Sequence, residues 1–155
     1  MKVAEMDFMS EVKAICERST GGLANKVCEV RFAPKVNIRN DDGTINWTWG
    51  EGRKCSAPIF LSRETGRELQ CGECAIREID CITQAKIVRR MQISMDTLQP
   101  DDAARPFFSN RIELAIRALT MQIEMSGCDA RNVYASAGRE IKREDEWAER
   151  NKDRL

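Results

Sequence analysis

Four of the seven cysteines fall between residues 55 and 81, in the order Cys55-x15-Cys71-x2-Cys74-x6-Cys81. A chain that concentrates sulfur in this way either buries the thiols as small apolar side chains or brings them to a common ion, and the second choice dictates which segments must meet. Two residues between Cys71 and Cys74 let both thiolates of one tight turn face the same cation. The polar loop Ser62-Arg63-Glu64-Thr65-Gly66-Arg67 separates Ile59-Phe60-Leu61 from Glu68-Leu69-Gln70, which predicts a short hairpin that returns Cys55 to the side of Cys71. Cys81 would then ligate from the first or second turn of the following helix. Four thiolates around zinc form a closed structural site, which supplies folding energy that so short a hairpin lacks. The competing reading is that no metal is bound and these are plain buried thiols; Cys16, Cys28 and Cys128 are assigned to core packing.

The chain contains no histidine. Serine and cysteine triads of the usual kind, histidine general bases and mixed cysteine/histidine zinc sites are therefore impossible within it. No glycine-rich phosphate loop is present either, because Gly21-Gly22 lacks the later glycine and lysine. No catalytic residue is assigned, and the chain is read as a non-enzyme. An odd number of cysteines and the acidic residues in Met1-Lys2-Val3-Ala4-Glu5-Met6-Asp7 argue against secretion. With no long apolar run, these features predict a cytoplasmic protein with reduced thiols and no membrane partner.

Helical spacing of Phe8, Val12, Ile15 and Cys16 predicts a first helix over residues 3–19, ended by Thr20-Gly21-Gly22. Val36 and Ile38, then Ile45, Trp47 and Trp49, alternate with polar residues on either side of Asn40-Asp41-Asp42-Gly43, which predicts a hairpin. Val27, Val30 and Phe32 suggest a preceding strand ended by Pro34. From Ala75 to about Met95 the period becomes helical, with Ile76, Ile79, Ile82, Thr83, Ala85 and Ile87 carrying the apolar content. A further helix is expected from Asn110, with a capping box to Glu113, as far as Met125, and a shorter one from Asp129 to about Ala137. Residues 138–155 read as a charged, solvated helical tail. The expectation is an α+β fold: a small antiparallel sheet of two hairpins, with a cysteine-metal knuckle at 55–81, packed against three or four helices. Residues 1–137 would form one domain and 138–155 its tail.

Residues 71–85, Cys-Gly-Glu-Cys-Ala-Ile-Arg-Glu-Ile-Asp-Cys-Ile-Thr-Gln-Ala, resemble the cluster-binding segment of WhiB-like transcription regulators. The resemblance implies a redox-responsive four-iron, four-sulfur cluster as the alternative to zinc. The last two cysteines are here one residue farther apart than in that family, and Trp47-Thr48-Trp49-Gly50 precedes the cysteines where the family's glycine-tryptophan turn follows them.

With 25 basic and 25 acidic residues, the chain has no global field to draw it onto nucleic acid, so any such contact must be local. Lys86, Arg89 and Arg90, with Arg77, are the candidate phosphate-contacting patch. Trp47 and Trp49 share one strand face and are expected in the core; exposed, they would form a platform for bases or for a protein partner. The segment around Ser126-Gly127 admits a helix-turn-helix but reads first as a plain helical hairpin. The functional expectation is thus a small binding or regulatory protein, a protein-binding regulator or inhibitor of the kind mobile elements encode, with a structural metal site of four cysteines. A nucleic-acid-binding regulator and an iron-sulfur redox sensor are the alternatives.

Overall fold

The structure is a computed structural model and describes residues 20–154; the first helix expected over residues 3–19, with Cys16, lies outside them. The described chain divides into two compact units. The first comprises residues 20–30 and Lys54–Ala75, the second Arg31–Arg53 and residues 76–154. Among the described residues there are three two-stranded antiparallel sheets and three long helices, an α+β composition.

In the first unit, β1 (Leu23–Val27) pairs antiparallel with β6 (Pro58–Phe60), setting Leu23 opposite Phe60 and Val27 opposite Pro58 with an irregularity between them. The chain then turns as its polar loop predicts. The Ser62 amide donates to the Arg67 carbonyl at 2.6 Å, and Leu61 bridges to Glu68. Gly66 takes a φ of 70°, a conformation that glycine adopts without steric cost.

In the second unit, β3 (Lys35–Arg39) and β4 (Ile45–Trp49) form the expected hairpin, in continuous register from Lys35 opposite Trp49 to Arg39 opposite Ile45. Its turn is closed by the Gly43 amide on the Asn40 carbonyl and by Asp42, whose Oδ1 accepts from both the Thr44 amide and hydroxyl. Those bonds, the hydroxyl first, hold the Asp42 carboxyl below its ordinary range. The two-residue strands β2 (Arg31–Phe32) and β5 (Arg53–Lys54) pair with one another.

The helices are α1 (Gly72–Asp96), α2 (Arg105–Ser126) and α3 (Ala130–Arg150), followed by a 3-10 turn at Lys152–Arg154. The start of α2 lies ahead of the expected Asn110, because Pro106 in its first turn has φ already set for a helix and no amide to satisfy. Gly127 ends α2 in the left-handed conformation, and Asp129 caps α3 by accepting from the Arg131 amide at 3.0 Å. The third helix does not end near Ala137. It continues through Gly138 to Arg150, with Ile141 buried, so the segment expected as a solvated tail contributes to packing.

The core of this unit joins Cys81, Ile82, Ala85 and Val88 of α1 to Leu119 and Ile123 of α2 and Val133 and Ala137 of α3. The buried face of α1 is therefore rotated from the one its isoleucines suggest, and Ile76, Ile79 and Ile87 are half or more exposed. No helix among the described residues is long and apolar enough to cross a membrane.

Candidate metal centre

Cys28 follows the last residue of β1, where its amide donates to the Ala57 carbonyl at 2.8 Å and its carbonyl accepts from the Ser56 amide at 2.9 Å. These two bonds lay residue 28 against the segment that carries Cys55. The Cys55 amide is fixed in turn by the Val30 carbonyl at 2.8 Å. Ser56 has a φ of 59°, a left-handed conformation that costs a non-glycine residue on the order of 1 kcal/mol. The strained residue sits next to Cys55 within a stretch that stays antiparallel to residues 27–32, with Val30 bonded to Cys55 and Val27 opposite Pro58. Cys71 immediately precedes α1, and Cys74 lies in its first turn, so both sulfurs stand at the helix end where the peptide dipoles favour negative charge.

The outcome is a cluster of Cys28, Cys55, Cys71 and Cys74, whose four sulfurs all lie within 4.8 Å of one another. Cys28 and Cys74 are 3.5 Å apart at Sγ, and Cys55 and Cys71 are also 3.5 Å apart. All four residues belong to the first unit. Cys28 and Cys71 are buried and the other two partly so. Sulfurs bound at about 2.3 Å to one tetrahedral ion stand about 3.8 Å from each other, which the cluster's spacing matches.

Burial is the largest influence on the Cys71 thiol and pushes its pKa up; the neighbouring Cys55 and Cys28 sulfurs push the same way. The backbone amides of Cys74 and Glu73 oppose them. Amides directed at a cysteine sulfur are suited to a thiolate, and a cation at the centre would complete what they begin. Cys55 additionally lies 3.7 Å from a carboxylate oxygen of Glu73.

Cys55, Cys71 and Cys74 thus converge as their spacing suggests, but Cys81 does not join them. It is fully buried in the helical core and its Sγ lies 4.0 Å from the Gln122 carbonyl. Seven residues along a helix amount to a rise of about 10 Å, so a cysteine at 81 cannot share an ion with one at 74. Its place is taken by Cys28, which the sequence pattern assigns to core packing. Nothing in the local spacing marks Cys28; it is recruited by the non-local pairing of β1 with β6. Cys128 is partly buried against the helical core, where burial first and Cys81 next push its pKa up to about 12.

The basic patch is also rearranged. Lys86 pairs with Glu144 and Glu140, and Arg90 with Glu144 at 2.8 Å and Asp145 at 3.2 Å, so α3 supplies acids to the cations of α1. The Arg77 guanidinium lies over the Phe32 ring at 3.7 Å, and Arg89 reaches Gln92 at 3.4 Å. The tryptophans are not core residues. Trp47 is 53% exposed and Trp49 partly so; their rings meet edge to face at 5.1 Å, and Lys35 Nζ stands 4.8 Å from one ring centre and 5.5 Å from the other. Lys35 is a member of this surface that sequence reasoning missed, although its position opposite Trp49 follows from hairpin register. No family model, no curated protein and no solved structure matches the chain.

Proposed function

We propose that this chain is a non-catalytic binding protein whose first unit is braced by one zinc ion held by Cys28, Cys55, Cys71 and Cys74. The observation that carries the reading is the approach of four sulfurs, from three separate stretches of chain, to within 4.8 Å of one another. Four thiolates complete a tetrahedral shell and leave no position for water or substrate, which is the arrangement of a structural ion rather than a catalytic one. Sulfurs this close favour a single ion over a four-iron cluster, in which each thiolate binds a different iron and the ligands spread wider. The absence of histidine from the chain speaks for binding over catalysis.

Metal analysis of the purified protein tests the reading. It predicts about one zinc per chain, lost in Cys28→Ser and Cys71→Ser and kept in Cys81→Ser. Metal-free protein with native structure, or zinc that survives Cys28→Ser, would refute it.

A further inference from the structure

We infer that the face of the β3–β4 hairpin bearing Lys35, Arg39, Trp47 and Trp49 is a docking surface for single-stranded DNA. The proposal rests on the reading of the chain as a binding protein but not on its metal, since every residue concerned lies in the second unit.

Hairpin register assembles the surface. Residues directly opposite in an antiparallel pair project to the same side, and alternate residues of a strand share a face. Lys35 stands opposite Trp49, Asn37 opposite Trp47 and Arg39 opposite Ile45. One face therefore carries two cations, an amide, two indoles and an isoleucine, while Val36, Ile38, Asn46 and Thr48 take the other. Ile45 is 67% exposed and Trp47 53%. Keeping two indoles in contact with water is costly unless something covers them.

The chemistry of the cover follows from what lies between the rings. Aromatic faces flanked by cations suit a strand whose bases stack and whose phosphates need counter-charge. A duplex keeps its base faces within its own stack, so the indoles favour an unpaired strand. Beside them the exposed Ile45 offers an apolar contact to the sugar edge of such a strand, where a deoxyribose presents less polar surface than a ribose. At the hairpin tip Asp41 and Asp42 lie beyond the Arg39–Ile45 pair and bound the track electrostatically. At its other end Trp49 and Lys35 also line a cavity of about 390 Å³ that presents the amides of Gln84 and Gln122 and the carboxylate of Asp80. Amides and a carboxylate are the groups that hydrogen-bond a base edge, so the stacking surface runs into a polar recess.

The test is fluorescence anisotropy of a labelled oligothymidylate of about 12 nucleotides with the full chain as purified. Binding is expected to weaken about tenfold in Trp47→Ala and to be largely kept in Trp47→Phe. Two phosphate contacts give a salt slope of about −1.4, or a loss of about sevenfold between 50 and 200 mM salt, which Lys35→Ala/Arg39→Ala should abolish. Zinc content and helical circular dichroism of each variant separate loss of the surface from loss of fold. They also separate failure of this proposal from failure of the metal assignment. If Trp47→Ala does not fold, Lys35→Glu/Arg39→Glu, on the same exposed face, carries the test. The proposal is overturned by no response up to about 100 μM, the weak limit of non-specific binding, or by affinity indifferent to these substitutions. Tighter binding of the matching duplex, of oligouridylate, or of an acidic peptide in place of DNA would overturn it equally.

Discussion

Cys28 and Cys74 stand with their sulfurs 3.5 Å apart although 46 residues separate them along the chain. Sheet pairing carries one to the site and the first turn of α1 carries the other, so neither thiol reaches it unless both local structures form. A metal at this point would therefore couple the β1–β6 pairing to the start of the helix.

Exchanging the two cysteines that compete for the fourth position separates the account from its alternative. Cys28→Ser should release the metal and lower the unfolding temperature. Cys81→Ser should retain the metal while losing about 1–3 kcal/mol, because it places a hydroxyl in an apolar core. Zinc analysis beside thermal melts reads both effects.

How much of the molecule is legible in its sequence depends on how local each feature is. The hairpin about Asn40–Gly43, the Gly127 stop and the Asp129 cap are set by neighbours in sequence, and periodicity and turn chemistry find them. Cys28 is placed by a strand partner some thirty residues away, which no local pattern encodes. Spacing counted along the chain brings Cys81 to the ion, whereas distance counted along the helix axis sets it about 10 Å above Cys74. Residue type alone predicts burial of Trp47 and Trp49; the hairpin that carries them is exposed along nearly its whole length, leaving type a poor guide.

Ile141 tests whether the charged segment after Gly138 belongs to the fold. It is buried, and Ile141→Ala should cost about 2–4 kcal/mol in urea denaturation. A loss below about 0.5 kcal/mol, the scale of an exposed substitution, would return this segment to the status of a solvated tail.

The contact between α1 and α3 predicts a particular pH response. Lys86 first, and Arg90 next, hold the Glu144 carboxyl below its ordinary 4.5, and Glu144 chiefly raises the Lys86 ammonium above 10.5. A depressed carboxyl contributes stability above its unfolded pKa that is lost as pH falls through the folded value. A raised ammonium contributes below its unfolded pKa and loses that contribution as pH rises. Glu144→Gln should therefore flatten the stability profile below about pH 4.5 and above about pH 10.5, by an amount that shrinks with added salt because the groups are exposed. An unchanged profile at low salt would contradict this pairing.

Cys128, with its pKa near 12, should resist alkylation at neutral pH, since only thiolate reacts. Mass-spectrometric mapping after brief iodoacetamide treatment should find it unmodified in the native chain and modified after denaturation. Labelling at the rate of a free thiol would place it outside the apolar environment described.

X-ray absorption at the zinc edge of the intact protein interrogates the central claim most directly. Four sulfur neighbours at about 2.3 Å are predicted, and the signal should vanish with Cys28→Ser while persisting in Cys81→Ser. A shell containing oxygen or nitrogen, or one that depends on Cys81, would contradict the account.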